Sequence, residues 1–376
     1  MVYFLVNNNY QYLEAVKHAN ILLDKKYVCG LILVPHTFDL PIDNNLFANV
    51  VKIDTPANKH WLKAWFKYLT IGSKIDKIID SLQINNLIFF TEFELINQLI
   101  AIRAKQNKIP IYLLEDGGIG SYILFTLTTR QKYTISDILY IALTKLIPKL
   151  WNAKFTKFDN VVFPMLPDHK IDALISYREY TSFRKIPLHV ISRPSVSAIS
   201  TIPSRVIFLN QPLYRDDIQT YEAYIEGLNI ILFSLSNIFK EVFFKFHPRE
   251  ESFYKKKITN ETITKFKISV IDSNEPIENI LSVYKPSYLA SYNSTPLFNL
   301  DGTGICPLFL FHLIEDLKYQ ESFVQTKHLL DLWKISYPTS FKNLELNPSS
   351  TNFDRSNLIS TNLLDIIEKY HKHLIK

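Results

Sequence analysis

The sequence predicts an α/β protein with two domains, each built around a parallel β-sheet. Short apolar segments rich in Val, Ile, Leu, Phe and Tyr alternate with longer segments of helical period, which is typical of repeated β-α units. The alternation begins again after residue 205, and 376 residues with 47% hydrophobic content can form two medium-sized cores.

In the first half of the chain the apolar segments predict five strands with helices between them. The strands are expected at residues 2–6, 28–34, 50–53, 86–90 and 110–114, and the helices at residues 10–23, 74–82 and 92–105. Buried parallel strands place ligand sites at their carboxyl ends. The loop that follows residue 114 is therefore an expected position for chemistry.

A linker is predicted between about Lys185 and Arg205, where three prolines and several serines interrupt any helical period. We expect one domain over residues 1–190 and a second over residues 205–350, with strands in "RVIFLNQPL", "VFFKFHP", "FKISVID" and "SYLASYNS". Residues 351–376 are expected to form a C-terminal docking helix, because Leu363, Ile367, Tyr370 and Leu374 would share one of its faces.

Composition argues against several classes of protein. A net charge of +6 spread along the chain argues against nucleic acid as the main ligand. The two cysteines, Cys29 and Cys306, have no partners at metal-ligand spacing and suggest neither a disulfide framework nor a zinc site. No apolar segment approaches the ~18 residues that span a bilayer. We expect a cytoplasmic protein without a metal or other cofactor.

Residues 130–158 form a basic amphipathic stretch with five lysines and Asp137 as the only acid. Such a stretch can rest on the anionic cytoplasmic face of the inner membrane. A core-packing helix with lysines on its outer face explains the same pattern. The sequence leaves both interpretations open.

The first candidate site is Glu115-Asp116, which ends a predicted strand and is followed by Gly117 and Gly118. Glycines at this position favour a sharp turn or close approach of a ligand to the backbone. The strand end would expose both carboxylates, and one of them can act as a general base toward a hydroxyl group. An ordinary junction between strand and turn, with solvated or helix-capping acids, is the alternative.

The second candidate is His247-Pro248, where the proline ends an aromatic strand and leaves the imidazole at its carboxyl end. There the ring can give a hydrogen bond or positive charge to a phosphate leaving group. A structural hydrogen bond is the alternative role.

Three further positions can bind an anion or a nucleotide. Ser294 and Thr295 precede Pro296 and an apolar segment, which predicts a helix start whose hydroxyl and N–H groups can hold a phosphate or simply cap the helix. Gln211 follows the first strand of the second half, and Glu275 begins a helix. A simple turn and an acidic first helical turn are the alternatives for these two positions.

The order of these motifs resembles that of bacterial GT-B sialyltransferases, particularly the lipooligosaccharide sialyltransferases of glycosyltransferase family 52 and the capsule polysialyltransferases of family 38. The resemblance rests on Glu115-Asp116-Gly117, on His247-Pro248 and on Ser294-Thr295. It implies two Rossmann-like domains with a cleft between them, a CMP-activated nonulosonic acid as donor, a glycan or lipid-linked glycan as acceptor, and no metal.

The resemblance also implies a role for each matched residue. Asp116 would deprotonate the acceptor hydroxyl, and Glu115 would position either Asp116 or the acceptor. His247 would stabilise the departing CMP phosphate. Ser294 and Thr295 would bind that phosphate. Backbone near Pro248 and the Glu275 segment would hold the cytidine and ribose, and Gln211 would lie at the donor side.

Several points stay open at this level. The transferred acid can be sialic, legionaminic or pseudaminic acid or Kdo, and the resemblance favours inversion at the anomeric carbon without excluding retention. A GT-B transferase that uses a UDP-sugar, and a non-catalytic glycan-binding assembly protein, are the other hypotheses.

Overall fold

The computed structural model of the chain describes residues 1–55, 61–116, 132–158, 161–179, 182–194, 198–216, 218–273, 275–346 and 361–374. These residues form two compact units. The first contains the described residues up to Asp116, those from 132 to 194, and the last helix of the chain. The second contains the described residues from 198 to 346.

The first unit is built on a seven-stranded parallel sheet. The strands of this unit are β1 (Val2–Asn8), β2 (Cys29–Thr37), β3 (Phe47–Lys52), β4 (Asn86–Phe89), β5 (Ile111–Leu114), β6 (Lys154–Phe158), β7 (Val161–Met165), β8 (Ala173–Ser176) and β9 (Leu188–Val190). The order in the sheet is β3-β2-β1-β4-β5-β8-β9, and β6 and β7 form a separate antiparallel pair. The chain reverses its direction across the sheet between β1 and β4, so the topological switch point lies there.

The second unit is built on a five-stranded parallel sheet of order β12-β11-β10-β13-β14. Its strands are β10 (Ile202–Leu209), β11 (Glu241–Lys245), β12 (Ile268–Ile271), β13 (Pro286–Ser291) and β14 (Cys306–Phe309). The switch point of this sheet lies between β10 and β13, where the strand order changes direction.

Helices connect the strands in both units. Those described are α1 (Asn9–Asp24), α2 (Trp61–Ser81), α3 (Leu95–Gln106), α4 (Ile135–Lys145), α5 (Tyr221–Ile238), α6 (Ser252–Glu261), α7 (Ile277–Tyr284), α8 (Glu321–Leu332), α9 (Phe341–Leu346) and α10 (Leu363–Leu374).

The strands predicted from the apolar segments are confirmed in both halves, with ends that differ by a few residues. Helix α2 is longer than expected, since it begins at Trp61 rather than near residue 74. Strand residues lie at both ends of the predicted linker, about Lys185 to Arg205. Leu188–Val190 pairs in parallel with β8 at the sheet edge, and β10 begins at Ile202. A strand of three residues beside a proline is too short to produce an alternating pattern, and an edge position tolerates the proline.

Helix α10 packs on the first unit although it follows the second unit in sequence. Its residues Leu363, Leu364, Ile366 and Ile367 belong to the same buried core as residues of β1 and β2. The hydroxyl group of Tyr370, on the same helix, lies 3.3 Å from His189 of β9. Of the predicted apolar face, Leu363 and Ile367 are therefore buried against the first sheet and Tyr370 is half-buried.

Candidate functional site

Asp116 lies directly beyond the carboxyl end of β5 in the first unit and is half-buried. The side-chain amide of Gln11, in the first turn of α1, donates a hydrogen bond of 2.8 Å to Oδ2 of Asp116. Since α1 follows β1 directly, this bond connects Asp116 to the switch point of the first sheet. Asp116 thus occupies the edge at which parallel α/β sheets bind their ligands.

Burial raises the pKa of Asp116 to about 7. The hydrogen bond from Gln11 lowers this pKa, whereas the negative charges of Glu14 and Glu115 raise it. A carboxyl group that titrates near neutral pH can accept a proton from a hydroxyl group and release it again during turnover. Both the position and the proton affinity of Asp116 therefore suit a general base.

Glu115 has a different environment from Asp116, and the expectation that both carboxylates are exposed is wrong for Glu115. Glu115 is only 1% exposed. Its Oε2 accepts a 2.8 Å hydrogen bond from the backbone N–H of Tyr177, at the end of β8, and its own backbone N–H donates to Ile175. Successive residues of a strand point to opposite sides, so only one of the two can face solvent. Glu115 joins the ends of β5 and β8.

A buried polar cluster, made of Glu14, His18 and Tyr177, adjoins Glu115. The hydroxyl group of Tyr177 donates to Oε2 of Glu14 at 2.8 Å, and Nε2 of His18 lies 2.7 Å from the same hydroxyl oxygen. Because the single hydroxyl proton is given to Glu14, His18 is the donor in the second bond. Burial lowers the pKa of His18 to about 4, so its ring is neutral at physiological pH.

Arg193 supplies positive charge to this cluster in addition to Lys17, which pairs with Glu14 at 2.6 Å. Its guanidinium group lies 4.2 Å from the centre of the Tyr177 ring, and one nitrogen lies 3.8 Å from Oε1 of Glu115. Within the described chain, its side-chain nitrogens have no hydrogen-bond partner. Burial opposes its charge, but Tyr10, Glu14 and Glu115 together hold the pKa of Arg193 above its ordinary value. Arg193 balances the buried carboxylates electrostatically rather than through hydrogen bonds.

The second unit gathers the remaining predicted residues at one sheet edge. Gln211 follows β10, His247 follows β11, Glu275 lies between β12 and α7, and Ser294 follows β13. Because all these strands are parallel, their carboxyl ends meet at the same edge. The structure therefore brings the predicted donor-side residues of the second unit together.

His247 is half-buried and surrounded by cations. Burial lowers its pKa to about 4, and Arg249, Lys245 and Arg215 lower it further while Asp216 raises it. The backbone N–H of Arg249 donates to Nδ1 of His247 at 3.1 Å. A neutral ring that accepts at Nδ1 carries its proton on Nε2. His247 can thus donate a hydrogen bond to an anion, and it does not carry a positive charge at neutral pH.

The turn at Pro248 is fixed to the neighbouring strand. The backbone N–H of Glu250 donates to the carbonyl of His247 at 2.9 Å. Both oxygens of the buried Glu250 carboxylate accept from the side-chain amide of Asn210, at 3.0 and 2.8 Å. The hydroxyl group of Tyr214 donates to one of the same oxygens at 3.3 Å. These bonds hold the imidazole of His247 beside the end of β10.

The side chain of Gln211 connects the two strands at the switch point. Its Oε1 accepts from the hydroxyl group of Ser291 at 3.0 Å and from the backbone N–H of Asn293 at 2.9 Å. Its Nε2 donates to Oδ1 of Asn293 at 2.9 Å. Gln211 therefore fixes the loop that precedes Ser294.

Ser294 and Thr295 begin a five-residue 3₁₀ helix, Thr295–Asn299, and not the α-helix start that the sequence suggests. Ser294 makes no side-chain capping bond there, and both residues are half-buried. Proline in the first turn suits either kind of helix, so the sequence pattern does not separate them. Glu275 is exposed, and its backbone N–H donates to Oγ of Ser273 at 3.1 Å.

Gly117 and Gly118 lie outside the described residues. Across the described chain, no group of three or more His, Cys, Asp and Glu side chains is arranged to hold a metal ion. No helix in the described ranges has the length and apolar character needed to span a bilayer.

Sequence reasoning missed the residues of α1 and of the buried cluster, namely Gln11, Glu14, Tyr177 and Arg193. One signal was available, because the polar run "NNNYQ" at 7–11 follows directly on the first apolar strand. Polar residues at the carboxyl end of a parallel strand mark a candidate ligand-binding edge. Tyr177 and Arg193 carry no comparable signal, since only folding brings β8 and residue 193 beside α1.

Comparison with known families gives one match over most of the chain. The sequence model of the alpha-2,8-polysialyltransferase (POLYST) family matches residues 4–302. No curated protein matches the chain.

Solved structures with similar folds have sequences that are only distantly similar. A protein described as a UDP-N-acetylglucosamine 2-epimerase, from Listeria monocytogenes, has a TM-score of 0.54 to this chain at 9% sequence identity. The match covers 92% of this chain and 86% of that protein. LpCGTa in complex with UDP has a TM-score of 0.51 at 10% identity, with 99% and 93% covered. S. aureus MnaA with UDP has a TM-score of 0.50 at 10% identity, with 99% and 96% covered. Together with the two parallel sheets, these likenesses show the predicted GT-B fold.

Proposed function

We propose that this chain, which belongs to the alpha-2,8-polysialyltransferase family and is a glycosyltransferase, transfers a nonulosonic acid from a CMP donor to a hydroxyl group of a cell-surface glycan. The transferred group is sialic acid or a relative such as pseudaminic or legionaminic acid, and the acceptor is a capsule or lipooligosaccharide glycan. The observation that carries the proposal is the half-buried Asp116, whose pKa is about 7, at the ligand-binding edge of the first sheet.

In the proposed reaction, Asp116 takes the proton of the acceptor hydroxyl as its oxygen bonds to the anomeric carbon of the donor. The bond between that carbon and the phosphate oxygen breaks, and its electron pair leaves with CMP. The anomeric carbon is tertiary, so its transition state is oxocarbenium-like and needs little assistance from the nucleophile. One base and stabilisation of the phosphate are sufficient, and we expect inversion at that carbon.

His247 is proposed to stabilise the departing phosphate through the proton on Nε2. A neutral donor already aimed by Arg249 requires no reorganisation when charge develops on the leaving group. The hydroxyl groups of Ser294 and Thr295 are proposed as further donors to that phosphate. Gln211 would act indirectly, since its amide is already bonded to Ser291 and Asn293. Backbone near Pro248 and Glu275 would hold the nucleoside.

The amphipathic stretch supports a proposed contact with the anionic cytoplasmic face of the inner membrane. Thr134 and Asp137 form a capping box that fixes the start of α4. Large apolar side chains on and after this helix are exposed, among them Ile135 at 88% and Trp151 at 65%. The others are Ile138, Leu139, Tyr140 and Leu146.

The amphipathic surface of residues 130–158 carries less positive charge than the sequence suggests, but it is still basic. Two of the five lysines are paired, Lys157 with Asp137 at 2.5 Å and Lys149 with Asp76. Lys132, Lys145 and Lys154 are exposed. Apolar side chains between exposed lysines suit the boundary of an anionic lipid layer better than a protein core, since the lysine ammonium groups reach the headgroups.

The test is a turnover screen that measures CMP release from CMP-activated sialic, pseudaminic and legionaminic acids and Kdo, with UDP-sugars in parallel. Turnover of a CMP-nonulosonate, undiminished by EDTA and lost in Asp116→Asn and His247→Phe, supports the proposal. Turnover of CMP-Kdo alone, or of UDP-sugars alone, would mean that this sugar nucleotide is the donor in place of a CMP-nonulosonate. If no nucleotide sugar is turned over or stabilises the chain thermally, a non-catalytic glycan-binding role becomes the better hypothesis.

A further inference from the structure

We infer that Gln11 is the positioning residue of Asp116, and that it acts through an amide group held in a single orientation by the backbone of Asn7. The inference rests on the proposed role of Asp116 as the base. It concerns the geometry that makes this carboxyl group usable.

Both ends of the Gln11 amide are engaged. Its Oε1 accepts a hydrogen bond of 2.8 Å from the backbone N–H of Asn7, and its Nε2 donates to Oδ2 of Asp116 at 2.8 Å. A backbone N–H can only donate, so the amide oxygen must face Asn7. The NH₂ group is consequently directed at Asp116, and Gln11 is only 1% exposed.

The backbone of Asn7 is itself held by a buried amide pair. The side-chain nitrogen of Asn7 donates to Oδ1 of Asn97 at 3.2 Å and to the carbonyl of Val34 at 3.0 Å. The nitrogen of Asn97 donates back to Oδ1 of Asn7 at 2.8 Å and to the carbonyl of Thr91 at 2.9 Å. Asn7 is thereby tied to β2 on one side of β1 and, through Asn97, to the segment that follows β4 on the other side. A fully bonded buried pair of this kind is rigid.

Helix capping explains only half of the Gln11 contacts. Asn8 is the N-cap of α1 and accepts from the backbone N–H of Gln11 at 2.9 Å. Gln11 therefore stands at the third helical position, where a Gln side chain commonly reaches back to a backbone N–H before the helix. That function uses Oε1 alone. The bond from Nε2 to Asp116 connects residues 105 positions apart and adds nothing to the cap.

The bond to Asp116 has two physical effects. It fixes the rotation of the carboxyl group, because one oxygen is held at hydrogen-bond distance from a group that cannot move. It also stabilises the ionised form, which is the form that can accept a proton. Without the bond, the pKa of Asp116 would lose a contribution that opposes its burial and the charges of Glu14 and Glu115.

Two substitutions separate positioning from capping. Gln11→Met keeps the length of the side chain and removes both amide bonds. Gln11→Glu keeps an oxygen for the N–H of Asn7 but replaces the donor to Asp116 by a second carboxylate. Gln98→Met is the matched control, since Gln98 is a fully buried glutamine of the same unit and its amide donates to the carbonyl of Glu92.

The experiment records kcat/KM against pH for CMP-sugar turnover by the full chain. We expect the acid limb of Gln11→Met to move to higher pH by about one unit, which corresponds to loss of one hydrogen bond to a charged group. Gln11→Glu should move it further, because a like charge raises the pKa of its neighbour. Gln98→Met should keep the parental midpoint. Unchanged profiles in both Gln11 variants, with Asp116→Asn inactive, would overturn the inference and leave the proposed function intact.

A second measurement does not depend on turnover. The melting temperatures of the parent and of Asp116→Asn diverge across the pH range in which Asp116 titrates. The upper end of that range, where the divergence levels off near the folded-state pKa of Asp116, should rise by about one unit when both proteins also carry Gln11→Met. An unmoved upper end contradicts the inference. If the parent turns over no nucleotide sugar, the proposed function fails, and this melting experiment still decides whether Gln11 controls Asp116.

Discussion

The backbone N–H of Arg249 donates to Nδ1 of His247 at 3.1 Å, and this bond determines which hydrogen atom the imidazole can offer. Burial and the neighbouring cations lower the pKa of the ring to about 4, so between pH 6 and 8 the ring is neutral with its proton on Nε2. The two residues are separated by a single proline, and the turn they form is anchored to β10 through Glu250 and Asn210.

A neutral side chain that donates a hydrogen bond from the position of Nε2 should therefore retain part of the activity that His247 supports. We expect His247→Gln to retain measurable CMP release and His247→Phe to lose about 10²–10³-fold in kcat, the usual effect of removing one transition-state donor. His169→Gln, a change at a histidine of the first unit, serves as the control. Equal losses in the Gln and Phe variants would mean that a charged or proton-donating imidazole is required.

Turnover should fall as the pH drops below about 7, because the carboxylate of Asp116 then takes up a proton and can no longer act as a base. The acid limb of kcat/KM should have its midpoint near pH 7. His247 should contribute no transition between pH 6 and 8, since its pKa is about 4. A profile that stays flat down to pH 5 would exclude Asp116 as the essential base.

Replacing Asp116 should stabilise the protein at high pH. The pKa of this group is about 7 in the folded chain against an ordinary value of 3.8, so the folded state holds the proton more strongly than the unfolded state. The free energy of unfolding therefore decreases as pH rises from about 4 to about 7. We expect Asp116→Asn to melt roughly 3 °C or more above the parent at pH 8 and close to it at pH 4. A lower melting temperature at pH 8 would contradict this account.

Helix α10 should contribute to the stability of the first unit. Ile367 is 1% exposed and lies in the core shared with β1 and β2. Ile367→Ala should reduce the free energy of unfolding by about 2–5 kcal/mol, as expected for a truncated core side chain. Lys369→Ala, an exposed position of the same helix, should change it by less than about 0.5 kcal/mol. Denaturant unfolding of both variants measures the change in the free energy of unfolding. Equal changes would contradict the burial of α10 in the core of the first unit.

Vesicle binding should depend on the apolar side chains of α4. Ile138→Glu with Leu139→Glu places two charges where side chains are 57% and 53% exposed, and we expect at least about tenfold weaker binding to vesicles that contain anionic lipid. Val283→Glu, at an exposed apolar residue of the second unit, is the matched control. Sedimentation with vesicles at two salt concentrations measures both the apolar and the charge-dependent parts. Identical binding by all three proteins would exclude this surface.

Local pattern predicted much of the architecture. The alternation of apolar strands and helical segments predicted five strands of the first sheet and four of the second, because a strand buried on two faces leaves a continuous apolar run in the sequence. The buried strands β8 and β14 were not predicted. The short strand Leu188–Val190 escaped prediction, since three residues next to a proline are held by pairing with β8 and not by their own preference.

The sequence by itself determined which residues stand at the carboxyl ends of strands, among them Asp116, His247 and Ser294. Strand direction alone places them at the ligand-binding edges of their sheets. Only the tertiary structure decided how these groups differ chemically. Glu115 and Asp116 are adjacent in sequence, yet one is buried against β8 and the other titrates near neutral pH beside Gln11. The physical reason is that a pKa depends on burial and on neighbouring charges, and residues distant in sequence supply both.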